Sequence, residues 1–252
     1  MTPAQTSAFE FDSARVPVGR VFHYRKSNRD GTHATRVSVY VANRTRLESL
    51  KWENGESEAT LVVATMDWPR FSVRCFDAWQ LIRGRPPERR ASLTANPEAG
   101  IMRVSMLGDS TVPVASWPWH SYDFDFASLS AVMPHLRITE RAFTFARFDV
   151  TWSGDEITGF TNYGEIRVRF VGREYRHGVA ARRYSIGGSG LGGTSGHLWA
   201  DVTQGHIIEF ELPVPDEPGM RDVRLRLEKV VSMTADEWAA FKRRAVGESA
   251  RD

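Results

Sequence analysis

The chain has 252 residues, 41% of them apolar and 25% charged, which is enough apolar content for a sizeable core and too much for a disordered chain. Its 33 basic residues against 31 acidic ones leave a net charge of +2, which argues against a protein whose main task is to neutralise nucleic-acid phosphates. No apolar run approaches the roughly eighteen residues of a spanning helix, and a single cysteine excludes an internal disulfide, a cysteine-rich zinc site and a redox pair.

The first twelve residues, Met1–Asp12, lack a basic start followed by an apolar stretch. No secretory signal is expected, and the chain as it begins is expected to be cytoplasmic. Residues 1–15 and 247–252 are expected to be flexible, as chain ends usually are.

From Val21 onward the dominant period is two, the period of a strand. Asp30-Gly31 separates Val21–Lys26 from Thr35–Val41, where the valines share one face. Asn54-Gly55 separates Thr45–Trp52 from Ala59–Met66. Both dipeptides tolerate the positive φ that tight hairpins need. Cys75, in Phe71–Cys75, is expected to be a small buried hydrophobe, since a catalytic thiolate needs a cationic, partly open setting. Arg83–Arg90 is expected to be a loop inside one domain.

Trp117–Phe124 packs Trp117, Trp119, Tyr122 and Phe124 into a short stretch. A short helix is predicted over Phe126–Met133, with Asp125 as its N-cap and Pro134 ending it. Phe143, Phe145, Phe148 and Trp152 follow on the next strand, with a change of face between Phe145 and Phe148. Glu165–Phe170 alternates again. So does His206–Val214, with Ile208, Phe210, Leu212 and Val214 expected inside and Glu209 and Glu211 on a solvated face. Val223, Leu225 and Leu227 share an apolar face. At the C-terminus, Thr234 and Glu237 form a capping box, Met233 staples onto Trp238, and the helix runs to about Arg244.

These segments predict roughly ten or eleven strands in one mostly β domain spanning 1–252. The architecture expected is an antiparallel barrel or strongly curved half-barrel sheet, with a short inner helix and a C-terminal helix outside.

The chemical motifs are sparse. Gly188–Gly193 matches G-x-G-x-x-G, but Ser195–Asp201 follows where a dinucleotide site needs a helix, so a glycine kink or loop is expected. The same segment lacks the last glycine of a serine nucleophile elbow. The seven histidines (23, 33, 120, 135, 177, 197 and 206) never fall at metal-ligand spacing, and neither metal nor cofactor is expected. The basic residues are 29 Arg and only four Lys, at 26, 51, 229 and 242. The arginines are scattered, as a source-genome bias would scatter them.

The aromatic residues suit either a cavity lining or a plain core. As a lining, Trp117, Trp119, Tyr122, Phe124, Phe143, Phe145 and Trp152 would bind an apolar or amphipathic small molecule of acyl-chain type in a lipocalin-like cavity. A cofactor-independent enzyme on that cavity would use His120 and Asp123 for acid–base work and Arg147 as an anion clamp. A structural or interaction module with a solid core is the third alternative. None of the three requires nucleic acid or a transmembrane segment.

Gly196–Glu211, with Leu198-Trp199-Ala200-Asp201, a turn through Thr203 and Gly205, and an alternating strand, is similar to a hairpin in the bacterial lipoprotein-carrier and lipoprotein-receptor superfamily. Ala200 and the extra Gln204 depart from that pattern. The resemblance implies an incomplete antiparallel barrel around one or more helices, an apolar cavity for acyl chains, and Phe126–Met133 as an inner plug. A violacein-pathway enzyme has a similar architecture and needs no cofactor, so the resemblance implies a fold that serves carriers and enzymes alike.

Overall fold

Alternating apolar and polar side chains build one sheet with two different faces. The computed structural model describes residues 8–53 and 55–247. Among them the strands are β1 (Arg20–Ser27), β2 (Thr35–Val41), β3 (Arg46–Trp52), β4 (Glu58–Asp67), β5 (Ser72–Ile82), β6 (Glu88–Asn96), β7 (Ile101–Ser105), β8 (Asp109–Pro113), β9 (Trp119–Ser121), β10 (Phe143–Ser153), β11 (Glu156–Arg176), β12 (Val179–Gly187), β13 (Ser195–Asp201), β14 (Ile207–Leu212) and β15 (Val223–Ser232). The α-helices are α1 (Ala127–Val132) and α2 (Ala235–Ala245).

All fifteen strands join a single sheet in the order β8-β7-β6-β5-β4-β3-β2-β1-β15-β14-β13-β12-β11-β10-β9. The first and last strands lie side by side, and two meanders spread outward from them. Every pairing is antiparallel except β9 with β10. The sheet does not close, so the fold is the strongly curved half-barrel rather than the full barrel. Its curvature brings β9 against the start of β5. There the Ser72 hydroxyl donates to the Trp119 carbonyl at 2.8 Å and accepts from the Trp119 N–H at 3.1 Å.

The concave face holds the main core, into which α1 is packed. On the convex face α2 lies over Val21, Tyr40, Leu50 and Leu61 through its Trp238. The capping box forms as predicted, with Thr234 and Glu237 each bonding the other's backbone N–H, and Met233 packs beside Trp238. The predicted change of face in β10 is a register shift between Arg147 and Phe148, which turns both Phe145 and Phe148 into the core.

Several expectations need correction. The strand number is higher because β7, β8 and β9 are short and carry little periodicity of their own. Residues 8–15 are docked, not loose: Phe9 bridges to Leu136 and stacks on Phe71 at 5.1 Å. Residues 1–7 and 248–252, and Asn54 of the Asn54-Gly55 turn, lie outside the described residues. Asp125 does not cap α1; Phe126 is the N-cap, without a side-chain bond, because Asp125 pairs with Lys26 instead. A bulge where β14 meets β13 turns Ile207 inward and leaves Ile208 on the convex face with Trp199. Cys75 is half-buried, because a register shift beside Val73 takes it off the fully buried Val73 face.

Candidate functional site

Period two on β1 places Arg20, Phe22, Tyr24 and Lys26 on the concave face, since Val21 and His23 face α2. The inner residues Val39 and Val41 of β2 and Leu47 of β3 continue this surface. Opposite it stands α1, whose Ala127 and Ala131 are one turn apart on one face. Both are alanines, too short to fill the space between helix and sheet, and a cavity of about 300 Å³ remains there, at the lower end of the range for small-molecule sites. Phe22, Tyr24, Val39, Val41, Leu47 and Trp68 form its apolar walls.

The inner end is sealed by polar groups that are already satisfied. The Tyr24 hydroxyl donates to the Ile207 carbonyl at 2.8 Å, and the Ser130 hydroxyl accepts from the Ile207 N–H at 3.1 Å. Burial raises the Tyr24 pKa, so the phenol stays a donor. Farther along β1, Lys26 is 0% exposed and pairs with Asp125 at 3.0 Å and with Asp216. Lys51 of β3 lies 3.8 Å from Glu217, which is 3.9 Å from Lys26. Burial lowers the Lys26 pKa and Asp125 pulls it back. Burial pushes Glu217 up, but Lys51 and Lys26 outweigh it and hold it below the ordinary carboxylate range.

The outer end is cationic. Arg15, Arg20 and Arg44 are all exposed there, beside His206 and Gln204, and the lining contains no carboxylate. Arg15 is committed: it donates to the Pro134 carbonyl at 2.8 Å and lies 3.4 Å from Asp12. Burial lowers the pKa of His206, against which Phe22 packs at 4.9 Å.

The residues singled out from sequence lie elsewhere. Trp117, Trp119, Tyr122, Phe124, Phe143 and Phe145 are buried in the main core, and none lines this cavity. Trp119 packs edge-on to Phe148, Tyr122 tilts against Phe126, and Phe126 packs edge-on to Phe145. Trp152 is 37% exposed at the end of β10, away from the cluster.

His120 is fully buried, with Nδ1 2.9 Å from the Ser128 hydroxyl, and burial lowers its pKa to about 3. Arg147 lies between the Tyr122 and Tyr163 rings at 4.5 and 4.6 Å, pairs with Asp149, and donates to the Gly190 carbonyl at 3.0 Å. Burial raises Asp149 to about 6 against the pull of Arg147. Asp123 is half-buried, and its pKa is raised by desolvation against the pull of Lys51. His120 and Arg147 are register partners in the β9–β10 ladder, but among the described residues no side-chain hydrogen bond or ion pair joins any two of His120, Asp123 and Arg147. Nor does any group of three or more His, Cys, Asp or Glu form a metal cluster.

Two further motifs resolve into packing. Gly188–Gly193 forms a single 3₁₀ turn followed by β13. A Cβ on Gly190 would lie 2.9 Å from the Gly164 carbonyl and one on Gly188 2.5 Å from the Glu165 carbonyl, so these two glycines serve a close approach to β11. Glu209 is not solvated as expected. The β11–β12 turn folds over it, and Arg176 grips it at 2.7 and 3.0 Å while His177 pairs with it as well.

Sequence reasoning missed Lys26, Lys51, Asp216, Glu217 and the whole cavity wall. The one available signal was lysine itself: of four in the chain, Lys26, Lys51 and Lys242 each make ion pairs in partly or wholly buried positions. No protein-family model matches the chain, and no curated protein matches it.

Proposed function

We propose that the protein binds an apolar or amphipathic small molecule in the cavity between α1 and β1–β3. The observation that carries this reading is the cavity itself: apolar walls, an inner end where the Tyr24 and Ser130 hydroxyls are hydrogen-bonded, and a polar mouth. Placing an apolar ligand against Phe22, Val39, Val41, Leu47 and Ala131 gains about 25 cal/mol for each Å² removed from water. The half-barrel with an inner helix is also the architecture that the Gly196–Glu211 resemblance implies, which supports a carrier-like role. His120, buried and neutral, and Arg147, tied to Asp149, are already engaged within the core. Their setting supports a structural rather than an acid–base role.

The test is titration with the uncharged fluorescent dye N-phenyl-1-naphthylamine. Wild type should give a saturable one-site rise in fluorescence. Ala131→Phe, and independently Val41→Phe, should remove it by filling the cavity, with far-UV circular dichroism unchanged. No saturable rise in wild type, or equal binding by both folded variants, overturns the proposal.

A further inference from the structure

We infer that the ligand of this cavity is a single-chain organic anion, oriented with its head group at Arg20 and Arg44 and its tail against β1–β3. The inference rests on the cavity reading and adds the charge and direction of the occupant.

Charge is distributed unevenly along the cavity axis. Beyond the inner end, outside the lining, the cations have carboxylates: Lys26 has Asp125 and Asp216, and Lys51 has Glu217. At the mouth there are three arginines and no carboxylate in the lining. Asp12 and the Pro134 carbonyl occupy Arg15. The guanidinium groups of Arg20 and Arg44 make no ion pair among the described residues.

The two groups stand at the same end of the sheet. Arg20 opens β1, and the preceding Gly19 N–H donates to the Val41 carbonyl at 2.8 Å; Arg44 follows β2 in the turn to β3. The Arg44 carbonyl is fixed by the Trp68 indole N–H at 2.7 Å, which anchors that turn against the cavity wall. Elsewhere buried carboxylates hold arginines of this chain, as Glu209 holds Arg176 and Asp149 holds Arg147.

A guanidinium presents a planar fork that matches a carboxylate, and charge-assisted bonds of this kind are stronger than neutral ones. A neutral ligand would leave both forks to water, and a cationic one would meet them as like charges. Strand rise sets the tail length: from Arg20 to Tyr24 is about 13 Å, after which Tyr24 and the Lys26 pair close the path. A medium-length chain fits this span.

The experiment is calorimetric titration at low salt with decanoate, decanol and decyltrimethylammonium, using wild type and the double variant Arg20→Gln/Arg44→Gln. Wild type should bind decanoate about tenfold more tightly than decanol, and the cation more weakly than either. The double variant should lose the preference while keeping its affinity for decanol, which shows that it remains folded with the cavity intact. Equal binding of decanoate and decanol by wild type overturns the anion inference and leaves the cavity reading standing. Binding of none of the three overturns both.

Discussion

The Lys26 ammonium lies 3.0 Å from the Asp125 carboxylate, and both groups are buried. One residue belongs to β1 and the other to the segment entering α1, so the pair ties the inner helix to the sheet and fixes the inner end of the cavity. Asp216, from the β14–β15 connection, joins the same ammonium. Lys26→Met removes the cation, leaves buried Asp216 without a counter-charge and leaves Asp125 only the more distant Lys51, at 4.0 Å. The expected cost is ~3–5 kcal/mol, measured by urea unfolding. A loss below about 1 kcal/mol would show that the network does not hold the helix in place.

The outer helix is held by a different carboxylate. Glu48 accepts from the Trp238 indole N–H and from the Lys242 ammonium, each at 2.7 Å. Glu48→Ala leaves the indole N–H buried and unpaired, at a cost of about 1–3 kcal/mol. Because α2 packs on the convex face, ligand affinity in the concave cavity should not change. A variant that keeps its stability, or that loses ligand binding while folded, would contradict this separation of the two faces.

Acid should destabilise the fold through its histidines. Burial lowers His120 to about 3 and His23 and His135 each to about 4, with Lys229 adding to the effect at His23 and Arg15 at His135. The unfolded chain protonates these groups near pH 6.5. Between about pH 6.5 and 4 the unfolded state therefore binds more protons, and stability falls as the pH drops. Asp149 works the other way: raised to about 6, it holds a proton in the folded state that the unfolded chain has already released. Burial also lowers His206 and raises Asp123, so four histidines oppose two carboxyls and leave a net loss, and the urea midpoint should be lower at pH 5 than at pH 7. His120→Asn should make the dependence shallower. An equal or higher midpoint at pH 5 would contradict the assignment.

The glycine-rich segment should respond position by position. Gly188 has φ of +136°, and a Cβ there would lie 2.5 Å from the Glu165 carbonyl. At Gly192 a Cβ would meet nothing within 4 Å, so only its positive φ opposes a side chain. Gly188→Ala should cost roughly 1–3 kcal/mol or more, and Gly192→Ala about 1 kcal/mol. Thermal unfolding of the two variants checks the order, and the reverse order would contradict the packing role.

The architecture was legible where a local pattern specifies it. Valines alternating through Val37–Val41, the Asp30-Gly31 turn and the Thr234/Glu237 capping box each contain their whole signal within a few residues. The cavity was not legible, because it depends on what stands opposite β1. Arg20, Phe22, Tyr24 and Lys26 read as any strand with polar ends until Ala127 and Ala131 are placed across from them. Asp125 looked like an N-cap because its true partner, Lys26, is distant in sequence. The aromatic run Trp117–Phe124 drew attention through sheer apolar area, yet that area fills the core, where large rings pack against one another. The vacant volume was left beside small side chains, which carry no mark in the sequence.

The central claim is that the occupied site lies between α1 and β1–β3, and intermolecular nuclear Overhauser effects locate a ligand directly. With decanoate bound to methyl-labelled protein, the chain protons should show cross-peaks to the methyls of Val39, Val41, Leu47 and Ala131, all in the cavity lining. Cross-peaks instead to Leu61 and Val63, which line the groove beside α2 on the convex face, or no cross-peaks at saturation, would contradict the account.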